Sequence, residues 1–336
     1  MKTFAYTRAG TVGEAITAAG TSGAQYYAGG TNLLDLMKNG VCNPATLIDI
    51  GRLDLDSVTA TPTGGVLIGA GVSNSAAANH PLVRGQYPVV SQAILSGATT
   101  QIRNMATVGG NLVQRTRCPY FMDPAFAQCN KRAPGSGCAA ADGFNREHAL
   151  FGASAACVAV HPSDMAVALA MLDAQVHVQG PDGVRSIPIT EFFTLPGAHP
   201  ERDNTLGPAE LITGIELPPS QFGTGSWYLK VRDRHSYAFA LVSVAAGLRI
   251  EDGVIASAAV AVGGVAAKPW RVDAAETALL GQRATDEAFG AAARVLMAGA
   301  RPLSQNAFKI DLGHHSVVRA LRMAAGRQDG SLTAGE

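Results

Sequence analysis

An α+β fold in three successive parts is predicted by this sequence, and three observations carry the prediction. Strand and helix signals alternate over the first 60 residues, which suggests a small α/β unit. A second mixed region runs to about residue 220 and is interrupted by an aperiodic, cysteine-bearing segment at 115–160. From about residue 225 strands come first and helices after, the order of a separate α+β domain. The parts are placed at 1–60, 61–220 and 225–330, with Pro218-Pro219 as a linker before the third.

Each element has a local reason. Phe4 and Tyr6 mark a short strand. Thr11-Val12-Gly13-Glu14 has capping-box spacing, and the helix it opens ends at Gly20. Residues 25–28 read as a strand running into Gly29-Gly30, residues 32–38 as a short helix stopped by Asn39-Gly40, and residues 45–50 as the next strand. Residues 66–68 are a strand, 89–95 a helix and 106–112 a glycine-punctuated loop. Met165, Ala168, Leu169 and Leu172 fall at helical spacing over 164–173. Residues 175–179 and 184–189 flank Pro181-Asp182-Gly183 as a hairpin, and Leu211–Leu217 is a further strand. In the third part, 227–231, 241–250 and 254–262 are strand-like, the last two joined by Glu251-Asp252-Gly253. Helical patterns follow at 274–280, 287–297 and 316–325.

Composition excludes several classes of function. Lys+Arg and Asp+Glu number 26 each, so the formal charge is zero and no broad field attracts nucleic acid or anionic lipid. Hydrophobic residues reach 47% and charged ones only 15%, against about 25% in an average soluble domain, which excludes disorder. No stretch approaches the roughly 18 apolar residues of a membrane span, and no signal-peptide core is seen near the N-terminus; by its own sequence the chain is expected to stay in the cytoplasm. Five cysteines, an odd number in a signal-less chain, argue against a disulfide framework and for metal-bound or structural thiols.

Two diglycines, Gly29-Gly30 and Gly109-Gly110, could turn their backbones with positive φ and aim successive amides at a phosphate; Thr31, Asn32, Thr107 and Asn111 add side-chain donors. Ordinary turns are the simpler explanation of either. No G-x-G-x-x-G opens a helix after a strand, so a Rossmann fingerprint is absent, as are Walker, H-E-x-x-H and Ser-His-Asp patterns. Cys118, Cys129, Cys138 and Cys157 are spaced C-x10-C-x8-C-x18-C, matching neither the short pairs of zinc sites nor bacterial ferredoxin spacing. An iron–sulfur cluster, zinc and buried free thiols all stay open on spacing. Asp164 opens a helix, either as a first-turn carboxylate favoured by the dipole or as an acceptor for sugar-type hydroxyls. Tyr228, Lys230, Arg232 and Arg234 alternate along one strand, as a solvated edge or as a cationic face for an anionic flavin or phosphate. His80 and His314-His315 lack partners at metal spacing and read as surface or capping residues.

At these residues the chain resembles the FAD-binding medium subunit of the xanthine dehydrogenase, or molybdenum hydroxylase, family. The matching pieces, in family order, are AGGTNLLDLMK (28–38), QIRNMATVGGNL (101–112), HPSDMAVALAMLDA (161–174), LGPAELITGIELP (206–218), YLKVRDRHSYAFALVSVA (228–245) and NAFKIDLGHHSVVRAL (306–321). The cysteine insert resembles that of the subfamily whose flavin subunit carries an additional 4Fe-4S cluster, as in periplasmic aldehyde oxidoreductase, whose FAD subunit the chain resembles closely, and, more distantly, 4-hydroxybenzoyl-CoA reductase. The resemblance implies a two-part FAD-binding domain of the vanillyl-alcohol-oxidase/PCMH type, then a C-terminal α+β domain with a three-stranded antiparallel sheet and helices. It implies that Tyr26, Tyr27, Ala28, Gly29, Gly30, Thr31, Asn32 and Leu33 wrap the FAD pyrophosphate. Thr107, Gly110 and Asn111 would complete the phosphate and ribityl contacts, Asp164 would be the flavin-binding aspartate, and Lys230 would lie near the isoalloxazine. Cys118, Cys129, Cys138 and Cys157 would ligate the 4Fe-4S cluster, leaving Cys42 free.

The implied function is electron transfer in a heterotrimeric molybdenum-containing aldehyde oxidoreductase. A large molybdenum-cofactor subunit would oxidise the aldehyde, and a small subunit with 2Fe-2S clusters would pass electrons through this chain to an external acceptor. No catalytic base is then needed here. A signal-bearing partner could carry the complex to the periplasm. The competing expectations are a self-sufficient FAD-dependent reductase of the same fold and a zinc-stabilised binding module.

Overall fold

The structure is a computed structural model and describes residues 1–326; the domain limit expected at 330 lies outside the described residues. Strands β1 (Ala5–Arg8), β2 (Ala24–Tyr27) and β3 (Thr46–Asp49) form an all-parallel sheet in the order β1-β3-β2. Parallel neighbours need crossovers, and helices Val12–Ala19 and Leu33–Lys38 supply them. The first is capped as its sequence foretells: Glu14 N–H donates to Thr11 Oγ1 at 3.2 Å, while Glu14 Oε2 accepts from Gly10 N–H at 2.7 Å.

The second sheet is antiparallel, formed by β4 (Val58–Ala60), β5 (Val66–Gly69), β6 (Gln175–Gly180), β7 (Gly183–Pro188) and β8 (Leu211–Leu217) in the order β4-β5-β8-β6-β7. Between β5 and β6 run short helices, including Asn74–Asn79, Pro81–Gln86 and Pro88–Ser96. Each is set off by Ser73, His80 or a proline in its first turn, and most are too short to show a period. His80 is indeed a cap, its Nδ1 accepting from Leu82 N–H at 3.3 Å.

The third sheet holds β9 (Ser226–Val231), β10 (Val242–Glu251), β11 (Val254–Gly263) and β12 (Trp270–Arg271) in the order β12-β11-β10-β9. The expected three strands are therefore four, because two residues after Pro269 pair with Ala261 and Val262 and are too few to alternate visibly. Asp252 and Gly253, at φ of 51° and 79°, turn β10 into β11. Helices Asp273–Thr277 and Phe308–Ala324 pack on this sheet, and Asp286–Met297 packs against both of them. Phe308–Ala324 starts well before residue 316, so His314 and His315 sit inside it, with their rings edge-to-face at 5.5 Å; they cap nothing, His315 is a surface residue and His314 is half-buried.

Helix Asp164–Met171 lies between these halves. Every residue from Met165 to Met171 is buried, against helix Pro88–Ser96 on one side and β10 and β11 on the other. The insert at 115–160 contributes only two four-residue helices, Pro119–Met122 and Ala139–Asp142, and is tied down by polar contacts. Lys131 Nζ donates to Pro200 O at 2.7 Å and pairs with Asp203, which also pairs with Arg115. Lys309 Nζ, fully buried, donates to the carbonyls of Glu147, His148 and Gly264 at 3.3, 2.9 and 2.6 Å. Among the described residues no helix is long and apolar enough to cross a membrane.

His161, at the end of the insert, has its ring tilted against Phe193 at 4.4 Å, and burial pushes its pKa down to about 4. Below about pH 6.5 the unfolded chain binds a proton there that the folded chain refuses until about pH 4. Acidification across that window should therefore remove up to about 3 kcal/mol of stability through this group. Denaturant titrations at several pH values should show that slope, and His161→Leu should flatten part of it.

Candidate functional site

A cavity of about 700 Å³ opens between the segment after β2, the short helices that follow β5, the start of helix Asp164–Met171 and β9, and Thr31, Asn32, Gly110, Asn111, Asp164 and Lys230 all line it. The segment after β2 forms one wall. Gly30 turns there at φ 69°, and the N–H groups of Gly29, Gly30, Thr31 and Asn32 have no protein acceptor among the described residues. Such a run of free amides suits an anionic group. Gly29 is required by packing: a Cβ there would stand 1.8 Å from Met105 O. Behind the wall, Tyr26 donates its hydroxyl to Ala209 O at 2.7 Å, and burial pushes that phenol up to about 12. Tyr27 places its ring beside Gly30, Ala28 leads from β2 into the turn, and Leu33 opens the following helix.

The second diglycine is built differently. Residues 106–112 were expected to be a loop; the structure has a helix, Val108–Leu112, capped by Thr107, whose Oγ1 accepts from Gly110 N–H at 3.2 Å. Val108 and Gly109 donate to Val72 O and Ala70 O, and Asn111 to Thr107 O. These amides are spent inside the protein, and neither glycine has positive φ. Glycine is needed at 109 because a Cβ would meet the Ala70 Cβ at 2.9 Å.

The cavity wall also carries polar atoms awaiting a partner. Asn32 Nδ2 and Asn74 Oδ1 are both buried there without a hydrogen bond, one donor and one acceptor. A polar ligand with its own donors and acceptors fits this wall, since orphaned buried polar atoms are costly.

Asp164 is held by β9. Lys230 Nζ approaches Asp164 Oδ2 at 2.8 Å and Ser96 O at 3.2 Å, while the Tyr228 hydroxyl donates to Asp164 Oδ1 at 2.6 Å. The side chains of Lys230 and Asp164 are 4% and 9% exposed, so this is a buried pair, and the solvated-edge reading fails at Tyr228 and Lys230 while Arg234 is exposed. Burial and the adjacent carboxylate drive the Tyr228 phenol well above its ordinary value. Arg232 lies just past the strand, donating to Ser96 O at 3.0 Å, and Arg234 folds back onto Tyr237 O. Gln92, which accepts from Tyr228 N–H at 2.8 Å, and the orphaned Asn74 escaped the sequence reading: both lie on short helices with no motif.

The long insert does not displace Asp164 from Asn111. Ser163, the cap of the helix that Asp164 opens, donates to Asn111 Oδ1 at 2.5 Å. The four insert cysteines line one small pocket, together with Lys131. Cys129 and Cys138 face each other across a β-bridge, and Cys157 is bridged to Ser154. Burial pushes the Cys118 thiol up to about 12 and raises Cys157, while the amides of Tyr120 and Phe121 favour the Cys118 thiolate and the Ala159 amide donates to Cys157 Sγ at 3.5 Å. Cys42 is not among that lining, though it packs in the same apolar cluster as Cys118 and Cys129, and it hydrogen-bonds Gln25 Oε1 at 3.3 Å. Among the described residues no three His, Cys, Asp or Glu side chains are arranged to share one metal ion.

Residues 2–220 match the FAD binding domain in molybdopterin dehydrogenase, and residues 227–324 the CO dehydrogenase flavoprotein C-terminal domain. The chain belongs to the FAD-binding medium subunits of the molybdenum hydroxylase family. It is an oxidoreductase subunit. It is 50% identical to the aldehyde oxidoreductase FAD-binding subunit PaoB of Escherichia coli, over 96% of this chain and 99% of that one. It is 28% identical to the glyceraldehyde dehydrogenase medium chain of Sulfolobus acidocaldarius, over 84% and 83%. Among solved structures, carbon monoxide dehydrogenase from Hydrogenophaga pseudoflava superposes with a TM-score of 0.76 at 26% identity, covering 98% and 99%. The two-part flavin-binding fold and its C-terminal α+β domain are those of the family.

Because a Cβ at Gly29 collides with fixed backbone, Gly29→Ala should cost about 1–3 kcal/mol by overpacking. It should also purify with less flavin; a lower denaturation midpoint and a lower ratio of flavin absorbance to protein would show both effects.

Proposed function

We propose that this chain is the flavin- and cluster-carrying electron-transfer subunit of a heterotrimeric molybdenum-dependent aldehyde oxidoreductase. The observation that carries the reading is the cavity lined by Thr31 and Asn32, at the end of a run of unpaired amides over 29–32, together with the orphaned Asn32 and Asn74 side chains and the Asp164–Lys230 pair, in a chain of an FAD-binding family. FAD bound there supplies acceptance of two electrons and their release one at a time. Gly29, Gly30, Thr31 and Asn32 would bind the pyrophosphate with their amides, with Tyr26, Tyr27, Ala28 and Leu33 shaping that segment. Gly110 and Asn111 would meet the ligand through surface rather than through spare amides, and Thr107 would hold their helix in place. Asp164 would accept hydroxyl hydrogen bonds, and Lys230 would keep a cation near a ring that gains negative charge on reduction.

Cys118, Cys129, Cys138 and Cys157 would ligate a 4Fe-4S cluster. Their convergence on one pocket supports this, as do amides directed at Cys118 and Cys157 and the nearby Lys131 ammonium. A cubane binds each thiolate to a different iron, so its ligands surround a volume rather than a point, and failure to share one ion counts against zinc more than against a cluster. Such a cluster supplies single-electron steps. The name of the 50%-identical relative supports aldehydes as substrates of the whole complex, oxidised on a large molybdenum-cofactor subunit. Electrons would arrive from 2Fe-2S clusters of a small subunit and leave to an external acceptor.

Anaerobically purified protein should contain FAD and about four irons per chain. FAD without iron would favour a self-sufficient flavin reductase, and zinc without flavin a binding module. Cys129→Ser should lose the iron while keeping most of the flavin; unchanged iron content would refute the ligand assignment.

A further inference from the structure

His148 is a buried polar side chain to which the proposed function gives no task. It is 3% exposed, and its Nε2 lies 3.1 Å from Cys118 Sγ, while Nδ1 has no partner. The contact is not incidental, because the backbone beneath the ring is clamped. His148 N–H donates to Asn145 O at 3.1 Å, and its carbonyl accepts from Asn306 Nδ2 at 3.1 Å and from Lys309 Nζ at 2.9 Å. Asn306 and Lys309 are themselves fully buried. The C-terminal part of the chain thus fixes where this imidazole points. Its ring and Cys118 also line the small cavity that reaches Ser163 and Asp164, so it stands on the side of the cysteine pocket facing the proposed flavin site.

A thiolate bound to iron carries no proton and can only accept, so the hydrogen in this contact belongs on Nε2. We propose that His148 is a positioning residue for the cluster: its Nε2–H donates to the Cys118 sulfur and makes the cluster easier to reduce. Reduction adds one electron and no proton to a group that is already anionic, and an N–H aimed at its sulfur stabilises the added charge. Hydrogen bonds to cluster sulfurs are among the levers that set such potentials. The inference rests on the cluster assignment made above.

The test is an anaerobic redox titration of the assembled complex, followed by electron paramagnetic resonance, for wild type, His148→Phe and His148→Gln. Iron and FAD content are measured on the same samples. His148→Phe keeps an aromatic volume without a donor, and the cluster midpoint should move to more negative potential while the flavin midpoint stays. His148→Gln carries an amide donor and should recover part of that shift. Full iron with an unchanged cluster midpoint in His148→Phe would overturn the proposal and leave the cluster assignment standing. Loss of iron from both variants in otherwise folded, flavin-loaded protein would make His148 a structural residue and overturn it too. Wild-type protein without iron would overturn the cluster assignment, and this inference with it.

Discussion

The site depends on one buried charge. Asp164 stands at the first residue of a helix whose next seven residues are all buried, so its carboxylate cannot escape to bulk water along its own element. A carboxylate there is favoured by the helix amides but needs partners to offset its desolvation. The partners come from β9, outside the region that carries the glycine turns: Lys230 and Tyr228 reach it at 2.8 and 2.6 Å. That bridge spans the two family-matched regions, both of which line the cavity. Breaking either side of such a pair leaves an uncompensated charge in the interior, which typically costs about 3–5 kcal/mol.

The two diglycines show how one sequence pattern serves different ends. At Gly29-Gly30 the backbone turns, passes within contact of Met105 O and leaves a series of amides unpaired. At Gly109-Gly110 it coils into a capped helical turn whose amides are all taken, and glycine is there to let that turn lie against Ala70. Gly110 lines the cavity, as do Thr31 and Asn32 directly after the first pair, yet only the segment of the first pair leaves main-chain donors unpaired for an anion.

The cysteine insert is held in place by salt bridges and carbonyl-bound lysines more than by a core of its own. Lys131 and Arg115 converge on Asp203, Arg146 makes a bidentate pair with Asp233 at 2.7 and 2.8 Å, and Lys309 collects three carbonyls. A buried ammonium among carbonyls is expensive, and burial pushes Lys309 down to about 7. Its return is geometric: it fixes the insert against the C-terminal helix, and with it the ring of His148 beside Cys118.

The sequence by itself determined the elements whose cause is local. The Thr11 cap, the Asp252-Gly253 turn and the Leu211–Leu217 strand each follow from residues a few positions apart, and the family follows from motifs that are contiguous in the chain. Short helices such as Asn74–Asn79 and the two-residue β12 were not legible, because they are shorter than the period that would reveal them. Tertiary structure alone decided that the second diglycine is helical, that Lys230 is buried rather than solvated, and that Gln92, Asn74 and His148 belong beside the site. Those outcomes depend on desolvation and on contacts between residues distant in sequence. Neither quantity exists until the chain has closed around the residue in question.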